Sequence, residues 1–121
     1  MPGTLTVIWW RDIPAQVIAK DGGRAHKIVL HRRFQVAIDR AAVRAGRQEM
    51  DDYIAEWRKV QRRCGDDLEA EAQAEAARLE AHYKRHVLAQ LIAAGGVAAA
   101  NGAATAGGMA PTGAAAQEGT A

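Results

Sequence analysis

The chain has a single cysteine, Cys64, so it can form no internal disulfide, a pattern that suits a reducing compartment. Its first residues, Met1-Pro2-Gly3-Thr4, lack the basic region of an export signal, and the apolar run from Leu5 to Trp10 is too short for an export core. No stretch approaches the ~20 apolar residues of a membrane span. The expected setting is therefore cytoplasmic, with no membrane partner. Internal repeats are absent, no recognised nucleic-acid motif frames the charged residues, and no cofactor is expected.

The last segment lacks most of what a core needs. From Ala93 to Ala121 the chain is nearly all Ala, Gly and Thr, with too little apolar bulk to offset the entropy of ordering. This predicts one domain over residues 1–92 and a disordered tail over 93–121. A domain of that size buries only about 60–65% of its unfolded surface. A site on it should be a surface groove, or one shared with a partner.

What the chain does have is an uneven charge. The net value is +2, but residues 1–63 carry thirteen Lys/Arg against seven Asp/Glu, and residues 64–92 carry three against six. The basic two-thirds calls for an acidic partner, whether a protein, a nucleic acid or an anionic cofactor.

Thr4–Trp10 is dense in β-branched and aromatic residues and reads as a first strand. Ala15–Lys20 and Arg24–Leu30 read as a second and third, joined by Asp21-Gly22-Gly23, residues that tolerate positive φ in a tight turn. Pro14 makes the Arg11–Gln16 stretch an edge or turn. Lys20, Arg24 and Lys27 keep the outer face of that hairpin charged. From His31 the period becomes helical, with Phe34, Ile38, Ala41 and Ala45 on one stripe and Gly46 as a left-handed stop. Asp51 or Asp52 should cap a second helix with the stripe Tyr53, Ile54, Trp57 and Val60. A third should start at Asp66-Asp67 and carry Leu68, Ala72, Ala76, Leu79, Tyr83 and Val87 to about Ile92. The fold class is α+β: a three-stranded antiparallel sheet (β-β-β) followed by three helices that cover one face.

The candidate partner-binding residues are Trp9, Trp10, Arg11, Asp12 and Gln16. Adjacent strand residues face opposite sides, so one indole enters the core while the other can serve with Arg11 as an interface anchor. The competing reading has both rings covered by the domain and Arg11 and Asp12 paired at the strand end. A basic face is expected from Arg24, Lys27, Arg32, Arg33, Arg58, Lys59, Arg62 and Arg63, either solvated or phosphate-binding. His82 and His86 are four apart on the third helix, but two ligands do not make a metal site and Lys84 and Arg85 repel a cation, so no metal is expected. Cys64 lies beside Arg62-Arg63 ahead of a helix, surroundings that lower a thiol pKa, yet it has no assigned base or resolving cysteine. Asp12 and Asp39 lack a second positioned group for acid–base work. No catalytic residue is assigned.

The segment Ile8-Trp9-Trp10-Arg11-Asp12-Ile13-Pro14-Ala15-Gln16-Val17-Ile18, followed by Arg33-Phe34-Gln35 and Ala37-Ile38-Asp39-Arg40-Ala41-Ala42, resembles a family of small bacterial proteins carrying the virulence factor domain. The likeness continues through Asp52–Arg58 and Leu79–Tyr83. A similar segment ends longer proteins that begin with an Nfu-like domain of the iron–sulfur scaffold type, and free-standing members occur beside genes for folate- and corrinoid-dependent methyl transfer. The resemblance implies an accessory or protein-interaction role, with a methyltransferase-type or metallocofactor enzyme as partner. It carries no catalytic residue across, and the chain lacks the clustered cysteines of an iron–sulfur site. The reading is a non-catalytic accessory module. The alternatives are a nucleic-acid-binding module and, more weakly, an enzyme subunit using Arg11, Asp12 and His31.

Overall fold

Residues 3–30 fold into the three strands that their alternation predicts, except that the second starts at Ile13 instead of Ala15 and runs through Pro14, which was expected in an edge or turn. In the computed structural model, which describes residues 3–98, β1 (Gly3–Trp10), β2 (Ile13–Asp21) and β3 (Arg24–Val29) form an antiparallel meander. Leu5, Val7, Val17 and Ala19 point inward and are buried. Gly22, at φ +59°, supplies the positive φ that the two-residue turn into β3 demands. Helix α1 (Arg32–Arg44) buries Phe34, Ala37, Ile38, Ala41 and Ala42, and Gly46 follows it at φ +71°, the left-handed stop expected there.

The sheet has four strands and the described chain four helices, where three of each were expected. Helix α2 (Met50–Ala55) is six residues long, begins after Glu49 and has no wholly buried residue. Trp57 and Val60, assigned by period to that helix, instead lie on β4 (Trp57–Cys64), which pairs antiparallel with β1 from Gly3↔Cys64 to Trp10↔Trp57. The cause is non-local. Without β4 the outer edge of β1 would expose a row of unpaired N–H and C=O groups beside a buried core. The strand order is β3-β2-β1-β4.

The expected third helix is likewise two, α3 (Leu68–His82) and α4 (Arg85–Ala93), with Tyr83 and Lys84 non-helical between them. Neither residue is a helix breaker. Tyr83 is turned into an aromatic cluster, edge-on to Trp9 at 6.0 Å and to Phe34 at 6.3 Å, and its carbonyl accepts from Arg33 Nε. Tertiary contacts, not local propensity, break the helix here. α3 lies over β2 and β3, and α1 packs on α4 and β2, both over the face that carries Leu5, Val7, Val17 and Ala19, while α2 covers Trp10 at the end of the other face.

The chain beyond Ile92 continues through Gly95 and Gly96, both left-handed, to Ala98. Gly96 O accepts from Asp12 N at 2.8 Å, which docks this segment on the β1–β2 turn. A Cβ on Gly96 would lie 3.0 Å from the Trp10 ring and, at φ +91°, would be strained, so the position favours glycine. The remainder of the expected tail, 99–121, is outside the described residues.

Candidate functional site

Two surfaces collect the residues that the sequence singles out. The first is the two-residue turn Arg11-Asp12 between β1 and β2. Arg11 has φ +53°, a left-handed conformation that glycine adopts freely but that costs a residue with a Cβ on the order of 1–2 kcal/mol. Its surroundings hold it there. The Arg11 amide donates to Glu56 O at 3.1 Å, Nη1 donates to Gly95 O at 3.1 Å, and Nη2 donates to Glu56 Oε2 at 3.1 Å. Asp12 is equally engaged: Oδ1 accepts from Arg58 Nη2 at 3.2 Å and Oδ2 from the Ala98 amide at 2.6 Å. Arg58 Nε also donates to Arg11 O. Turn, edge strand and C-terminal segment are thus joined by one network.

Pro14 takes part by removing a donor. The β1–β2 register shifts between Ile8↔Gln16 and Trp9↔Pro14, leaving Ala15 as the extra residue of a bulge. Pairing of β2 with β3 begins only at Gln16↔Val29. Pro14 therefore sits beyond the two-sided part of β2, where its missing N–H costs no ladder bond on that side.

The indoles separate as adjacent strand residues must. Trp10 is fully buried, stacks on Tyr53 at 5.7 Å and donates from Nε1 to Tyr53 O at 2.9 Å. Trp9 turns toward the helices, partly buried between Tyr83 and the Arg58 guanidinium 5.2 Å from its ring. Its Nε1 is buried without a hydrogen-bond partner among the described residues. Burial, with Asp12 close by as a second cause, raises the Tyr83 phenol to about 12. The domain itself covers the Trp10 ring wholly and the Trp9 ring in part. Of the five residues grouped as a partner anchor, Trp10 and Gln16 fall on the side of the sheet away from α1 and α3, and of these only Gln16 lies in its uncovered part.

That uncovered side is the second surface. Strand alternation and register bring together Thr4, Thr6 and Ile8 of β1, Gln16, Ile18 and Lys20 of β2, Lys27 and Val29 of β3, and Lys59, Gln61 and Arg63 of β4. No carboxylate is among them. A shallow depression of about 430 Å3 lies at the centre, between Thr4, Thr6, Ile8, Ile18, Lys20, Lys59 and Gln61. Val29 is 65% exposed, and none of the four cations forms an ion pair among the described residues.

The expected basic face is therefore divided. Lys27, Lys59 and Arg63 share the open face with Lys20, which sequence reasoning had left out of the site. The turn at Gly22-Gly23 carries the missing signal: it fixes Asp21↔Arg24, and hence Ile18↔Lys27, so Lys20 and Lys27 point the same way. Arg58 and Arg62 project to the helix side, to Asp12 and to Glu75, which is buried and also paired with Arg78. Arg24 pairs with Asp21, Arg33 is bound to two backbone carbonyls of the α3 end, and Arg32 is exposed at the start of α1.

Two further expectations change. Cys64 is 8% exposed, and burial pushes its thiol up, with Glu71 adding to the rise; Arg62 opposes this but does not prevail. The lowered thiol pKa expected from the neighbouring arginines is overturned, because desolvation disfavours the thiolate and Arg63 faces the other side of the strand. His82 ends α3 while His86 lies in α4, so the four-residue spacing no longer places them on one helix face. Among the described residues no three His, Cys, Asp or Glu side chains are grouped to hold a metal. No described helix is long and apolar enough to cross a membrane.

No curated protein and no solved structure matches the chain. Residues 8–92, which hold both indoles, the Arg11-Asp12 turn, the bulge and all four strands in whole or part, match the family model described as Virulence factor. The chain belongs to the virulence factor family.

Proposed function

We propose that the domain is a non-catalytic interaction module that docks an acidic protein surface on the open face of its sheet. The observation that carries this is the composition of that face: Lys20, Lys27, Lys59 and Arg63 around Ile8, Ile18 and Val29, with no carboxylate. Unpaired cations around a small apolar centre suit a partner that brings both the missing negative charge and apolar contacts. The Arg11-Asp12 turn serves this module as scaffold. The family resemblance directs the search to methyltransferase-type and metallocofactor enzymes as partners.

Nucleic acid is the second reading, supported by the same four cations. Sequence-independent binding of single strands also uses exposed aromatic platforms, and of the two indoles at the end of this face Trp10 is fully buried beneath Tyr53 and Trp57 is partly covered, edge-on to the same ring. That favours a protein partner. An enzyme role for Arg11, Asp12 and His31 has less support, since Arg11 and Asp12 are engaged within the turn and His31 caps α1.

The experiment is affinity capture from the parent cell with three full-length baits: the natural protein, Lys20→Glu/Lys59→Glu, and the control Arg40→Glu/Arg44→Glu on exposed positions of α1. A specific protein should be recovered by the first and third and lost, by at least ten-fold, with the second. Equal recovery by all three would remove the open face from the proposal. Recovery of nucleic acid that disappears above physiological salt would favour the second reading.

A further inference from the structure

We propose that an open surface cavity where the start of α1 meets the start of α4 binds a small molecule through a phosphate group. His31, Arg33, Lys84 and Arg85 line it, and its volume is about 280 Å3. It lies at the ends of helices, whereas the open face is built from strands, and it is independent of the function proposed above.

The cavity is cationic by construction. Arg33 is fixed by donating from Nη2 to Glu80 O at 2.8 Å and from Nε to Tyr83 O at 3.3 Å, while Nη1 has no protein partner among the described residues. Its position across Phe34, 4.8 Å from the ring, limits its motion further. His31 Nδ1 accepts the Arg33 amide at 3.1 Å, so the hydrogen of the neutral imidazole is on Nε2, which makes that nitrogen a donor. Lys84 and Arg85 are exposed and form no ion pair among the described residues. The nearest acid in the network, Glu80, accepts the His31 amide through Oε2 at 2.9 Å and is not part of the cavity lining.

These features select the ligand class. Three positive charges exceed what one carboxylate needs, whereas a phosphate dianion offers three acceptor oxygens to two guanidinium groups, an ammonium and an imidazole N–H. A volume just below the ~300 Å3 lower bound of ordinary ligand pockets leaves room for the phosphate and a small attached group. Two backbone carbonyls hold Arg33 before any ligand arrives, which reduces the ordering cost of binding.

The test is an amide-resolved NMR titration of the full chain with inorganic phosphate, phenyl phosphate and acetate at matched ionic strength. Saturable shifts confined to residues 31–34 and 83–87 are expected with both phosphates and not with acetate. Tighter binding of phenyl phosphate identifies a phosphate ester as the natural class; equal affinity identifies the free anion. Lys84→Ala/Arg85→Ala should weaken binding at least ten-fold, and because both side chains are exposed the variant should keep the fold. Lys20→Ala/Lys59→Ala should bind as the natural protein does. Linear shifts without saturation, an equal response to acetate, or unchanged affinity in Lys84→Ala/Arg85→Ala would overturn the assignment.

Discussion

At the β1–β2 turn the cations have partners. Arg11 is bonded to Glu56 and Gly95, Arg58 to Asp12 and Arg11 O, and Arg47 pairs with Asp52 and Glu56. On the open face of the same sheet Lys20, Lys27, Lys59 and Arg63 have no ion pair among the described residues. Both regions use strand β1, so they differ in what covers them. Helix α2 and residues Gly95–Ala98 close over the turn, while nothing in the described chain closes over the strand middles. The most distinctive stretch of sequence, Trp9 to Asp12, is spent on internal bonds. Unremarkable lysines, threonines and isoleucines make the available surface.

If that contrast is right, substitutions at the turn should cost stability and those on the face should not. The largest effect is expected from Trp10→Ala, which empties a fully buried site and removes one of the two donors to the Tyr53 carbonyl. A loss of about 3–5 kcal/mol is expected in urea unfolding, a large part of the stability of so small a domain. A loss below about 1 kcal/mol would mean that the turn is not the closed region described here.

Arg11 sharpens the same point, because its two contributions can be separated. Arg11→Ala removes the side-chain bonds to Glu56 and Gly95 and keeps the positive φ, so a loss of about 1–3 kcal/mol is expected. Arg11→Gly removes the same bonds but tolerates that φ, and should be the more stable of the two by about 1 kcal/mol. Equal stability of the two variants would show that the backbone stores no strain at this turn.

Tyr83 tests whether the aromatic cluster beneath Trp9 is closed in solution. An unfolded tyrosine loses its proton near 10, whereas burial and Asp12 hold the folded phenol to about 12. Between these values the unfolded chain is deprotonated while the folded one retains its proton, so stability is complete below pH 10 and falls as pH rises toward 12. The loss is on the order of 2 kcal/mol at the top of that window. Phenolate absorbance, compared between the natural protein and Tyr83→Phe, should place the missing titration near 12; a value near 10 would mean that water reaches the ring.

Local signals were readable and non-local ones were not. Asp21-Gly22-Gly23-Arg24 declares its turn, the Phe34–Ala45 stripe declares α1, and Gly46 declares its end. In β4, by contrast, Trp57, Val60 and Cys64 fall at helical spacing, and the charged residues between them suit a helix or an edge strand equally. What decides is the open edge of β1, more than forty residues away in sequence. The break at Tyr83-Lys84 has no glycine or proline to announce it and follows from the pull of Trp9, Phe34 and Arg33. The candidate site was mis-sorted for the same reason: with β4 read as a helix, Lys59 and Arg63 could not be placed beside Lys20 and Lys27.

The smallest expected effect is on the open face, and its smallness is informative. Lys20→Glu/Lys59→Glu changes the charge of the face by four units without touching a buried group or an ion pair. Exposed substitutions of this kind usually shift stability by less than about 0.5 kcal/mol each. Here the change also places two carboxylates among Lys27 and Arg63, which relieves like-charge repulsion, so the unfolding midpoint should stay level or rise slightly. A marked loss of stability would mean that these lysines hold the sheet together and would transfer them from the docking surface to the scaffold. A neutral result is what a binding surface requires, because residues kept for a partner are those the isolated fold can do without.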